Sequence, residues 1–256
     1  MPLAFPPGAG YMWPQMKAVI LAAGKGTRMG ELTATVPKPM KEIRSKPILG
    51  HIVEGVRDEA GINEIFIVTG WCGHVIRDHF GDGGNWNVGI AYGEQVVQDG
   101  TGKAPELAKE WIGPDKFLLM YGDIFLDPPT DYKLLAQAFQ DDGVIALKKA
   151  TKEELSKGGA VVLDGNGFMI DLVEKAAADQ VPKNAYYNAG IYLRTPRIFT
   201  FTATLEKSPR GEYEFTDALK ALVKSGARLR GVTLRHAWAD VRDPSVLAEL
   251  NKSGKG

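Results

Sequence analysis

The chain has 256 residues, 44% of them hydrophobic and 24% charged, which is enough for one sizeable core and fits a single α/β domain. Lys plus Arg and Asp plus Glu both number 31, so the net charge is near zero and nothing global points to nucleic acid or an anionic membrane as a partner. The single cysteine, Cys72, excludes an intrachain disulfide and fits a reducing cytoplasm, and no apolar run approaches the length of a membrane span.

Residues 1–15 are rich in proline, glycine and aromatics, lack a basic start, and read as a disordered extension rather than a signal peptide. Lys17 to Ala22 is a short apolar run, β-branched at its centre, and predicts a buried parallel strand. Gly24-Lys25-Gly26-Thr27-Arg28 follows at once. Its glycines permit a tight turn whose N–H groups can face an anion, and Lys25, Arg28 and Lys38 add positive charge. A basic surface turn fits the glycine pair about equally well. The loop is neither a dinucleotide fingerprint, whose third glycine would fall on Met29, nor a Walker loop, and Pro37 and Pro39 argue against a helix directly after it.

Further on, Pro47 to Ala60 carries Ile48, Ile52, Val53 and Val56 at helical spacing, with Gly61 as a stop. Glu64 to Thr69, Val88 to Tyr92 and Lys116 to Tyr121 predict strands, with helices over Gly73 to Phe80 and Thr101 to Trp111 between them. Such alternation predicts a mostly parallel sheet with its ligand at the carboxyl ends of the strands, where the glycine loop and Asp123 both fall. A helix over Tyr132 to Phe139 and a strand over Gly143 to Lys148 come next. Strands are expected over Ala160 to Leu163, Met169 to Val173 and Tyr186 to Leu193, with Asp164-Gly165-Asn166-Gly167 as a hairpin turn. A helix over Phe215 to Lys224, strands over Leu229 to Thr233 and Ala237 to Val241, and a helix over Pro244 to Asn251 close the chain. No linker is evident, so residues 16–256 read as one domain, with a first lobe over about 16–150 and a second over about 151–235.

Leu21-Ala22-Ala23-Gly24-Lys25-Gly26-Thr27-Arg28-Met29, with Pro37-Lys38-Pro39, resembles the signature of sugar-1-phosphate nucleotidylyltransferases, and the likeness extends from Met16 to about Leu250. It is closest in pattern to the glucose-1-phosphate thymidylyl- and uridylyltransferases. The resemblance implies a Rossmann-like three-layer α/β sandwich with a smaller sugar-binding lobe. It also implies a cytoplasmic enzyme on which the phosphate of a sugar 1-phosphate attacks the α-phosphorus of an NTP, pyrophosphate leaves, and Mg²⁺ serves as cofactor. The partners it implies are NTP and sugar 1-phosphate, with no nucleic acid or membrane and with a homo-oligomer left open.

The same resemblance distributes the roles. Arg28 matches the catalytic arginine and Lys38 a lysine at the reacting phosphates, while Leu21, Ala23, Gly24, Lys25, Gly26 and Thr27 belong to the nucleotide loop. Gln95, Gly100 and Thr101 fall in the base-binding segment, Gln95 on the pyrimidine edge. Asp123 in Tyr-Gly-Asp and Asp240 in Trp-Ala-Asp match the metal-binding aspartates. Val173-Glu174-Lys175 assigns Glu174 to sugar hydroxyls and Lys175 to the sugar phosphate, and Asn188 and Gly190 line the sugar pocket. Ala160 stands where the family has a glycine and is expected to narrow that pocket by a methyl group. After Asp240 the family usually continues Gly-Thr-Pro, whereas this chain reads Arg242-Asp243-Pro244. No β-helix domain is expected after Asp240.

The expected substrates are dTTP or UTP with glucose 1-phosphate. A guanylyl-, cytidylyl- or N-acetylhexosamine-directed enzyme stays open, Gly100-Thr101-Gly102 resembling some uridylyltransferases for N-acetylglucosamine 1-phosphate. A non-catalytic nucleotide-sugar sensor is a rival of another class. Cys72, His74 and His79 lack a fourth ligand at zinc spacing and are set aside.

Overall fold

The computed structural model describes residues 16–252; the expected extension over 1–15 lies outside the described residues. In chain order, β1 (Met16–Ala22) runs into 3-10 turns over Thr27–Thr33, broken at Gly30, and over Lys38–Met40. A two-residue hairpin, β2 (Glu42–Ile43) and β3 (Lys46–Pro47), leads to α1 (Ile48–Ala60). Then come β4 (Glu64–Thr69), α2 (Gly73–Phe80), β5 (Gly89–Glu94), α3 (Lys109–Ile112) and β6 (Lys116–Tyr121). β7 (Ile124–Asp127), α4 (Asp131–Gln137), β8 (Gly143–Lys148), α5 (Lys152–Leu155), β9 (Gly159–Leu163) and β10 (Met169–Glu174) follow. β11 (Tyr186–Arg194), α6 (Phe199–Thr202), α7 (Phe215–Lys224), β12 (Leu229–Thr233), β13 (Ala237–Asp240) and α8 (Pro244–Lys252) complete the chain.

β6, β1, β4 and β5 lie side by side and parallel, so Ala22, Thr69, Glu94 and Tyr121 end on one edge of the sheet. β11 is antiparallel to β6 and continues the sheet into β9, β10, β8 and β12. Because side chains alternate along a strand, β1 serves two cores. Ala18, Ile20 and Ala22 pack with Ile52, Val53 and Val56 of α1, and with Ile76 and Leu135. Val19 packs on the other face with Ala108, Ile112, Phe199, Phe215 and Leu219. Helices thus cover both faces, which is the three-layer arrangement that a continuous apolar strand requires.

One of the expected elements needs correction. Thr101 to Trp111 is not one helix: a 3-10 segment over Ala104–Ala108 precedes the single turn of α3. Pro105 belongs at a helix start, because it has no N–H to give, and Gly102 N–H is instead bound to the Tyr213 carbonyl at 2.7 Å. The expected strand β13 stands outside the main sheet. It pairs antiparallel with β7, a strand that the sequence reading missed, in a separate ribbon. Among the described residues, no helix is long and apolar enough to cross a membrane.

Candidate active site

The carboxyl ends of the parallel strands open into a cleft of about 580 Å³. Its first wall is the glycine loop. Gly26 sits at φ 64, which a side chain would strain, and its carbonyl accepts from Met29 N–H at 2.8 Å and from Thr33 Oγ1 at 3.1 Å. Lys25 lies over the Trp71 ring, 5.1 Å from its centroid, and Trp71 Nε1 donates to the Thr33 carbonyl at 2.9 Å. The basic turn is therefore braced from outside while Lys25, Thr27 and Arg28 face the cleft.

The segment over residues 95–101 leaves β5. Gln95 N–H donates to the Thr69 carbonyl at 2.8 Å, and Gln95 Nε2 to the Gly100 carbonyl at 2.9 Å. Gly100 bridges Tyr213 at φ 114, where a Cβ would fall 2.3 Å from the Tyr213 carbonyl oxygen. Only glycine allows so close a backbone approach. This loop is thereby fastened to the segment before α7.

Lys38 is ion-paired with Asp123 across the cleft floor. The β7–β13 pairing sets Asp240 opposite Ile124, and Val241 N–H donates to the Asp123 carbonyl at 2.9 Å. Burial, and then the Asp123 carboxylate, push the Asp240 carboxyl up to about 6. Lys38, Arg242 and Arg28 oppose that rise. A pair of facing carboxylates, both with oxygen donors, suits a hard divalent cation that takes one or two carboxylates and draws other ligands from phosphate or water. Among the described residues no group of three or more His, Cys, Asp or Glu could hold a metal ion, so substrate oxygens would complete the shell.

The far end is built by β10 and β11. Burial raises the Glu174 carboxyl, with Glu214 adding to the rise and Arg210 and Lys175 opposing it. Lys175 adopts φ 46, unusual for a residue with a side chain, and its N–H donates to the Gly158 carbonyl at 2.8 Å. Asn188 Nδ2 donates to the Tyr192 hydroxyl at 2.8 Å, and Trp238 Nε1 to the Ala189 carbonyl at 2.9 Å.

Every site residue named from the sequence lines this one cleft except Ala160. Ala160 is fully buried with Leu155, Ala176, Val181 and Tyr187, so its methyl does not narrow the cleft; Gly158 and Gly159 form the wall instead. The sequence reading missed Lys157, Arg210, Glu212, Glu214, Trp238 and Arg242, which also line it. The charged run Arg210 to Glu214, set just before a helix, was the available signal for three of them.

The profile of the nucleotidyl transferase family matches residues 17–254. The chain belongs to the nucleotidyl transferase family. It is 38% identical over 93% of its length to the bifunctional protein GlmU of Methanococcus maripaludis, of which it covers 54%. It is 30% identical over 93% of its length to the glucose-1-phosphate thymidylyltransferase of Streptomyces antibioticus, of which it covers 66%. The chain thus spans about half the length of the GlmU relatives it matches. A crystal structure of UDP-glucose pyrophosphorylase complexed with UDP-glucose superposes with a TM-score of 0.84 at 26% identity, covering 93% of this chain and 97% of that one. As a family member, the protein has its cleft where an open α/β sheet of this kind places a ligand.

Proposed function

We propose that the protein joins an NTP to a sugar 1-phosphate, releasing pyrophosphate and an NDP-sugar, with Mg²⁺ as cofactor. One observation carries this reading: a single cleft holds the cationic glycine loop, the Asp123–Asp240 pair and the Glu174–Lys175 pair. Transfer of a nucleotidyl group asks for alignment and charge neutralisation rather than covalent work by the protein. Lys25 and Arg28 would hold the leaving pyrophosphate. Lys38, ion-paired with Asp123, would act beside the reacting centre. Gln95 and the Gly100–Thr101 backbone would take the base, and Glu174, Asn188 and Gly190 the sugar. Held by Asp123 and Asp240, Mg²⁺ would supply positive charge between phosphates that otherwise repel.

Glucose 1-phosphate with dTTP or UTP is the preferred pair. An N-acetylhexosamine 1-phosphate with UTP is a second reading, supported by Gly100-Thr101-Gly102, and GlmU-like relatives fit it about as well. A matrix of NTPs against sugar 1-phosphates, scored by pyrophosphate release, tests both. Release with no pair would leave the rival reading, a nucleotide-sugar sensor.

A further inference from the structure

The cations lining the cleft come from two sides. Lys25, Arg28 and Lys38 belong to the first lobe, and Lys157, Lys175, Arg210 and Arg242 to the second lobe and the end of the β7–β13 ribbon. Arg210 is held at 2.6 Å by Glu214. Arg242 has no such close carboxylate: its Nε stands 3.7 Å from Asp240 Oδ2, beyond hydrogen-bond distance, and it also faces the Tyr187 hydroxyl. The side chain is nonetheless only 27% exposed.

Its backbone is firmly set. Arg242 N–H donates to the Asp240 carbonyl at 2.8 Å, directly after the Val241 bond to Asp123. On the other side, Tyr187 packs on Gly158, where a Cβ would fall 2.4 Å from the Tyr187 hydroxyl, and the Gly158 carbonyl takes the Lys175 N–H. The guanidinium therefore occupies the corner between the Asp240 carboxylate and the Gly158–Lys175 wall.

We propose that Arg242 binds the attacking phosphate of the sugar 1-phosphate and forms with Lys175 a two-cation clamp on it. The inference rests on the nucleotidyl-transfer reading above. A guanidinium matches two phosphate oxygens at once, which fixes orientation as well as charge. A phosphate held between Arg242 and Lys175 lies beside Asp240, where the attacking oxygen has to be. A mostly desolvated arginine with only a loose carboxylate neighbour has donors to give to such an anion. Engaging the phosphate also draws Arg242 away from Asp240 and leaves that carboxylate to the cation.

The test uses Arg242→Ala and Arg242→Lys in the full chain. Pyrophosphate release is measured with glucose 1-phosphate and with N-acetylglucosamine 1-phosphate, varying sugar phosphate, NTP and Mg²⁺ in turn, and each sugar phosphate is also titrated calorimetrically. Arg242→Ala should raise KM and Kd for the sugar phosphate about ten- to a hundredfold, as loss of a charged hydrogen-bond pair does. KM for NTP should stay near wild type, and Arg242→Lys should recover part of the loss. An unchanged sugar-phosphate KM, equal changes for both substrates, or a change confined to the Mg²⁺ requirement would overturn the clamp. If Arg242→Ala does not fold, Arg242→Lys decides by the same comparison. If the wild type releases no pyrophosphate, the reading of the activity falls. The titration then judges Arg242 alone, and equal affinities for wild type and variant reject it.

Discussion

Asp240→Asn should make the metal-free protein more stable while abolishing turnover. Burial and the Asp123 carboxylate raise the Asp240 carboxyl from 3.8 to about 6, so the fold binds this proton more tightly than the unfolded chain does. The group therefore supports folding fully below about pH 4, and that support is lost as pH rises through about 6. Each tenfold in proton affinity is about 1.4 kcal/mol, so carrying Asp240 ionised costs the fold about 3 kcal/mol. Asparagine keeps the shape without the charge. The attraction to Arg242 already holds that rise down, so it is not subtracted again. The gain at pH 7.5 in EDTA is about 3 kcal/mol, or about 6–12 °C in Tm for a chain of this size. Thermal unfolding of wild type and variant from pH 4 to 8, with EDTA or with Mg²⁺, measures it. The gain should vanish near pH 4 and shrink as Mg²⁺ is added, since the cation stabilises only the protein that binds it. No added stability in EDTA at pH 7.5, or an equal gain at pH 4, would refute the reasoning.

Arg28→Ala should lower kcat about 100- to 1,000-fold with the circular dichroism spectrum unchanged, as loss of one pre-organised charge-stabilising group does; a folded variant at near-normal rate removes Arg28 from the mechanism. Glu174→Ala should raise KM for the sugar 1-phosphate far more than KM for NTP, and equal effects would show that Glu174 does not serve the sugar. Gly100→Ala sets a Cβ 2.3 Å from a backbone oxygen that cannot rotate away, so the bridge to Tyr213 must open. With it go the Tyr213–Asp99 and Gly102–Tyr213 hydrogen bonds, both 2.7 Å, at about 1–3 kcal/mol together. A lower Tm with a raised KM for NTP is expected, and an unchanged Tm would contradict that geometry.

The parallel half of the fold was legible because its signals are local. Glu64 to Thr69 and Lys116 to Tyr121 are apolar runs too short for helices, and both appear as strands with those bounds. Phe215 to Lys224 was equally plain from its helical period. The glycine loop and Asp123 follow strand ends, so a parallel sheet brings them to one edge without further information. β7 was not legible: Ile124–Asp127 is four residues long, and a strand that short announces itself only through its partner.

What the chain determines by itself is therefore the longer strands, their order along the sequence and which groups end at the parallel sheet's edge, because each depends on residues close in sequence. What only the tertiary structure decides is the company those groups keep. Asp240 meets Asp123 through the β7–β13 ribbon, and the loop after β5 is tied to the segment before α7 by Gly100 and Tyr213. Ala160 turns into a small core while Gly159 faces the cleft, a choice set by which face of β9 is buried against α5 and β11. Arg242 reads as an ordinary surface charge until the ribbon places it between Asp240 and Tyr187. These are pairings between segments far apart in the chain, and side-chain alternation and backbone hydrogen bonding settle them only once both partners are folded together.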